Sequence, residues 1–226
     1  MDPAYLEVSQ STGGQLFLFQ KDEASGAALA MSAAHSHPAT ILRAVGTLPG
    51  SREFEFPVDS TVSGLLVLAS VQCRDAIRVY PPSGSELTAA DSASIAGFQA
   101  GRILRIDRPE PGPWRVRISG SGLFVLSVQA RAEIALSAVS VTGDAASTSL
   151  EARLSGEVSD LRVRLVDASG NPLAGPVSLD LAADGVYRAA IASAFPRFRV
   201  LVSGADSAAR PFQRVYPVLF RASPAK

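Results

Sequence analysis

PGPWRVRISGSGLFVLSVQA, residues 111–130, is the stretch that decides how the chain folds. Trp114, Arg115, Val116, Arg117 and Ile118 alternate apolar with basic, the period-2 pattern of a strand with one buried face. From Leu123 to Ala130 the alternation resumes, with Phe124, Leu126 and Val128 on one face. Between the two, Ser119-Gly120-Ser121-Gly122 tolerates positive φ, so the stretch predicts a hairpin closed by a tight turn. Pro111 and Pro113 end whatever precedes, because proline lacks the amide that a central strand donates. Trp114, the only tryptophan, is expected as a core anchor.

Upstream of this stretch, strand patterns fall at 40–45, 52–58, 64–71, 76–80 and 101–106. Pro49-Gly50 and Pro81-Pro82-Ser83-Gly84 punctuate them. Seven short strands at that spacing, the two of the hairpin included, predict a β-sandwich over residues 38–132. Downstream, patterns at 134–142, 150–155, 161–166, 177–181, 186–191, 197–202 and 212–221 predict a second sandwich over residues 133–226. Turn sequences at 167–172 (DASGNP) and 182–185 (AADG) separate its strands. The predicted fold class is mainly β: two sandwiches of Ig-like or fibronectin III-like type, preceded by a short α/β segment over residues 1–37.

That first segment is built differently. Asp2-Pro3 caps a helix over residues 4–11, and Gly13-Gly14 stops it. Leu16, Phe17, Leu18 and Phe19 form a near-continuous apolar run, which predicts a strand covered on both faces. Asp22 is placed to cap a second helix over residues 23–34. Helix, buried strand, helix is too small a unit to bury itself. An unpaired strand of this kind is an aggregation hazard.

Composition narrows the function classes. Lys plus Arg and Asp plus Glu are both 21, so no net charge attracts nucleic acid. No apolar run is long enough to span a membrane. Met1-Asp2-Pro3 opens no signal peptide, so an export signal is expected outside this chain. Cys73 is the only cysteine, which rules out an internal disulfide and suggests a small buried residue. The strong preference for arginine over lysine points to a GC-rich, bacterial genome.

The residue inventory offers little chemistry. The two histidines, His35 and His37, lack a third ligand and read as linker. No Gly-x-Ser-x-Gly elbow or phosphate-cradling loop is present. Asp59-Ser60-Thr61-Val62-Ser63 has the Asp-x-Ser-x-Ser spacing of an adhesion metal site, but runs straight into a strand pattern and reads as a turn. Arg102, Arg105, Arg108, Arg115 and Arg117 are a local basic concentration. Tyr80, Tyr187 and Tyr216 are scattered too widely for a sugar platform. No catalytic residue, metal or cofactor is expected, and the chain is not expected to be an enzyme.

Several stretches resemble a known family. YLEVSQSTGGQLFLF at 5–19 is similar to the end of a von Willebrand factor A domain. FEFPVDSTVSGLLV at 54–67, IRVYPPSG at 77–84, the 111–130 stretch and VLVSGADSAARPFQRVYP at 200–217 resemble the modules that follow such a domain in hemicentins. The metal site of an A domain lies at its start, which this chain lacks. The resemblance implies a non-catalytic structural or interaction module, secreted or at the cell surface or periplasmic, that supports an A-type adhesion domain. A protein partner or an upstream A-type domain is expected to pair with residues 1–34, through Leu16, Phe17, Leu18 and Phe19. The alternative is a glycan- or ligand-binding accessory module of a secreted enzyme.

Overall fold

The computed structural model describes residues 3–23, 38–88, 93–143, 147–192 and 195–221. Helix α1 (Pro3–Thr12) is followed by an extended strap and a single 3-10 turn, Lys21–Glu23. The first sandwich comprises β1 (Ala39–Val58), β2 (Val62–Tyr80), β3 (Ala93–Gly97), β4 (Gly101–Asp107) and β5 (Gly112–Ala132). All five join one antiparallel sheet in the order β1-β5-β2-β4-β3.

The predicted hairpin at 111–130 is one strand. β5 runs unbroken through Ser119–Gly122 and pairs with β1 on one side and β2 on the other. Its start pairs with the end of β1 (Val58↔Gly112), and its end pairs with the start of β2 (Val62↔Ala132). Val58 and Val62 are four residues apart and span at most about 14 Å. Twenty-one extended residues would reach about 70 Å. The ladder therefore folds over on itself, and each of the three long strands serves both layers of the sandwich.

The fold-over has a visible corner. Gly50, Gly120 and Arg74 share one rung, and Gly50 and Gly120 have φ of 127° and 144°. β2 shifts register on either side of that rung, between Val71 and Cys73 and between Arg74 and Ala76. Such irregularities are how strands turn a sandwich corner. Cys73 sits at the corner and is exposed, not buried as expected. The strands read as separate at 40–45 and 52–58, and at 64–71 and 76–80, are the two arms of β1 and of β2.

Even-numbered residues of β5 face inward throughout. Trp114, Val116 and Ile118 of one arm meet Phe124, Leu126 and Val128 of the other across a core shared with Leu65, Val67, Ile77 and Val79. Trp114 is buried and donates its indole N–H to Glu110 O at 2.8 Å.

The opposite face of the β5-β2-β4 layer is covered as well. Leu66, Leu68 and Ile103 pack against Phe17, Phe19 and Phe98. The three rings form a cluster with centroids 4.7–5.7 Å apart. Leu16–Phe19 thus forms no strand. It crosses the sheet as a strap, pinned by Leu18 N–H donating to Ser70 Oγ at 3.1 Å. Glu23 ties down the far end by accepting from the amides of Gln20 and Gln99. Residues 24–34 of the expected second helix, and His35 and His37 in the linker after it, lie outside the described residues.

The second sandwich holds β6 (Leu136–Gly143), β7 (Thr148–Leu154), β8 (Val158–Val166), β9 (Pro172–Ser178), β10 (Asp180–Leu181), β11 (Tyr187–Ile191), β12 (Arg197–Asp206), β13 (Pro211–Val215) and β14 (Phe220–Arg221). One sheet has the order β10-β11-β7-β6, the other β13-β12-β8-β9 with β14 beside β12. Leu150, Ala152, Val163, Leu165, Val200 and Val202 form the core between them. Both expected turns form. Asp167 Oδ1 accepts from the amides of Ser169 and Asn171, and Gly185 N–H closes on Ala182 O. No helix among the described residues is long and apolar enough to cross a membrane.

Candidate interaction site at the joint between the sandwiches

The Asp59-Ser60-Thr61 turn that links β1 to β2 points into the second sandwich. Asp59 is fully buried. Its Oδ1 accepts from Thr61 N and Thr61 Oγ1 at 3.2 and 2.6 Å, which builds the turn. Its Oδ2 lies 2.8 Å from Arg214 NH2, close enough for an ion pair but off the line of a hydrogen bond. Arg214 is equally buried, and its other donors go to Ile134 O and Gln213 O, both at 2.8 Å. Burial pushes the Arg214 guanidinium down, and the Asp59 carboxylate opposes that shift.

Ser60 reaches a second carboxylate. Asp206 Oδ2 accepts from Ser60 N and Ser60 Oγ at 2.8 and 2.6 Å, while Oδ1 accepts from the amides of Ala208 and Arg210. Burial raises the Asp206 carboxyl, but the Ser60 hydroxyl and the surrounding amides outweigh it and hold it below its ordinary value. A carboxyl lowered on folding stabilises above its unfolded value of about 3.9 and loses that contribution as pH falls through the lower folded value. Chemical denaturation between pH 6 and 2.5 is therefore expected to show stability falling below about pH 4. Asp206→Asn should flatten that acid limb; a limb of unchanged steepness in the variant would exclude this assignment.

The 167–172 turn makes a second contact. Val45 N–H donates to Ala168 O at 2.8 Å, Ser169 Oγ donates to Val45 O at 3.2 Å, and Arg52 NH2 donates to Asn171 Oδ1 at 2.6 Å. Gly46 leaves room for this contact, because a Cβ there would sit 2.6 Å from Ser169 Oγ and displace that hydroxyl from Val45 O. Gln213 Nε2 adds a bond to Ile41 O at 3.0 Å.

Helix α1 closes the joint, and it does so polar side in. Ser9 and Gln10 are buried, whereas Tyr5 and Val8 are 70% and 59% exposed. Arg43 of β1 donates to Ser9 O at 3.3 Å, to Gly13 O at 2.8 Å and to Gly14 O. A cation at the carbonyl end of a helix also complements its dipole. Arg199 of β12 donates to Pro217 O, Ala168 O and Gln10 Oε1. Burial lowers Arg43 to about 10 and Arg199 to about 9, the latter also through the charge of Arg43 and against the pull of Asp167. Glu7 pairs with Arg197 at 2.7 Å and with Arg221. Arg43→Met is expected to release α1 at a cost of about 1.5–3 kcal/mol, the range for a bond to a charged group. Hydrogen exchange would read this as lost protection in α1 with both sandwiches unchanged.

The candidates from the sequence disperse. Asp59 faces Arg214, Ser60 faces Asp206, and Ser63 Oγ donates to Arg131 O, so the adhesion-type spacing gathers no ligand set. Arg102 donates to Ile77 O, Arg105 pairs with Asp107, and Arg115 pairs with Glu53 and stacks over Tyr80. Tyr216 stacks on Phe220, and Tyr187 packs into the second core. Sequence reading missed Arg43, Arg199, Arg214 and Asp206. The available signal was arginine inside apolar strands, ILRAV and FRVLV, where a guanidinium must find buried acceptors.

No curated protein matches the chain. Among solved structures, similarity is found to the Bacillus licheniformis lipase BlEst2 in propeptide form, with 18% identity over 77% of this chain and 40% of that chain and a TM-score of 0.39. Bacteroides uniformis beta-glucuronidase 3 shows 9% identity over 76% and 27%, with a TM-score of 0.28. The glycoside hydrolase domain of Endo-D from Streptococcus pneumoniae R6 shows 12% identity over 79% and 33%, with a TM-score of 0.24. The chain spans 40% or less of each of these proteins. With TM-scores below 0.5, none of the three assigns a function. Residues 39–133, the first sandwich, match the family model described as the hemicentin galactose-binding domain-like module.

Proposed function

We propose that the chain is a non-catalytic structural and interaction unit of a larger secreted, cell-surface or periplasmic protein, in which two joined sandwiches hold an A-type adhesion domain at a set orientation. The observation that carries this reading is the joint. A buried Asp59–Arg214 pair and a helix held at Ser9 and Gln10 by Arg43 and Arg199, one arginine from each sandwich, suit a rigid support. Residues 1–34, which resemble the end of an A domain, are the point of attachment. Phe17 and Phe19 serve the chain's own sheet, so the face left for the partner is Tyr5 and Val8, one turn apart on α1. The strand order of the second sandwich supports an Ig-like or fibronectin III-like module. The parent coding sequence tests the reading directly. An A-type domain immediately before this chain is expected, and a hydrolase domain there would contradict it.

A second reading rests on the match of residues 39–133 to a galactose-binding domain-like family. It makes the first sandwich a carbohydrate- or ligand-binding module. Titration with galactose, followed by amide chemical shifts, should then move resonances within 39–133. Unmoved resonances across those residues would remove galactose as its ligand.

A further inference from the structure

The second sandwich carries a trough that the joint does not use. It lies on the outer face of β6, β7, β11 and β10 and encloses about 610 Å³. Strand register builds it. Ser140, Glu151, Arg188 and Asp180 form one rung across four strands, and Thr142, Ser149 and Ala190 form a rung on the three-stranded part. The second rung is all short side chains, which leaves the depression beside the charged one.

The chemistry of the walls is specific. Among the described residues, the hydroxyls of Ser140, Thr142 and Ser149 make no hydrogen bond to another group. Arg188 is already committed, donating to Glu151 at 2.8 Å and to both oxygens of Asp184. Asp180 lies opposite Arg188 in the strand register, so three carboxylates accompany one guanidinium on this face and an anionic ligand is repelled. Glu151 Oε1 takes the arginine, and its other oxygen keeps its acceptor sites. Free hydroxyls that donate and accept, next to a carboxylate that accepts, match a ligand rich in hydroxyl groups. Leu181, 61% exposed at the rim, offers an apolar edge for a ring face.

We propose that this trough binds a neutral oligosaccharide, on the sandwich that lies outside the galactose-binding domain-like match. Without an aromatic platform the affinity is expected on the order of millimolar. The test is an amide chemical-shift titration of the whole chain with maltotetraose and β-1,4-galactotetraose as neutral probes and tetragalacturonate as the anionic one. The expected result is movement of β6, β7 and β11 amides with at least one neutral probe and none with tetragalacturonate. Ser149→Phe, which fills the trough from an exposed position, should weaken that binding at least tenfold. Glu151→Gln should weaken it too while preserving shape, and serves if the phenylalanine variant does not fold. Silence from both neutral probes at these strands, or equal movement with the anionic one, would overturn the proposal. Shifts confined to residues 39–133 would also overturn it, while favouring the carbohydrate reading of the first sandwich.

Discussion

Asp59→Ala is expected to destabilise the chain by about 3–5 kcal/mol, the cost of leaving a buried partner charge unpaired. Arg214 is fully buried, and Asp59 is the carboxylate it pairs with. Removing that carboxylate strands a guanidinium among backbone carbonyls and also unties the turn bonds from Thr61. Denaturant unfolding should show a lower midpoint. Arg214→Met on its own should cost a similar amount, since it strands Asp59 instead. The double variant Asp59→Ala/Arg214→Met should recover much of the loss, because an apolar replacement of a buried pair is often near neutral. Strict additivity of the two single effects would show that the pair does not couple.

The corner of the first sandwich predicts a contrast between two glycines on one rung. Gly120 has φ of 144°, and a Cβ there would collide with Cys73 O and lie 3.1 Å from Arg74 Cα. Gly50 has φ of 127° and nothing within 4 Å. Gly50→Ala carries backbone strain alone, about 1–3 kcal/mol. Gly120→Ala adds overpacking against backbone that cannot give, for about 2–6 kcal/mol altogether. Thermal melts of the two variants decide the matter. Equal losses would mean that β2 does not lie against β5 at this rung, and that Ser119–Gly122 closes a hairpin after all.

Inside–outside alternation was legible where one face is buried, as in Trp114–Ile118 and in β7, where Leu150 and Ala152 point inward between exposed Ser149, Glu151 and Arg153. So were α1, with proline at its first position, and the turns at 167–172 and 182–185. The bent strands were not, for a physical reason. Pro49-Gly50 and Ser119–Gly122 supply the same backbone freedom to a turn and to a corner. Only the pairing partner tells the two apart, and that is non-local. A hint was available: the inward residues of β5 keep the same parity on both sides of Gly120, as one continuous strand requires.

The apolar run Leu16–Phe19 misled because four apolar residues suit a buried strap as well as a buried strand. What settles it is the exit of α1. Gly13 has φ of 74° and packs against Pro217, and Arg43 holds the carbonyls of Gly13 and Gly14. The chain is thereby led across the sheet rather than along its edge. The joint was hidden for a similar reason. Asp59 and Ser60 sit in the turn between β1 and β2, whereas Asp206 and Arg214 sit on β12 and β13 near the end of the second sandwich, and a partner that distant in sequence leaves no local pattern.

The central claim is that the two sandwiches are one unit, locked at the Asp59 turn. The most direct measurement is a spin-label distance distribution between Arg117→Cys in the first sandwich and Arg153→Cys in the second, with Cys73→Ser to remove the exposed native thiol. A single narrow distribution that broadens when Asp59→Ala is added is the predicted result. A broad distribution in the chain with Asp59 intact would contradict it.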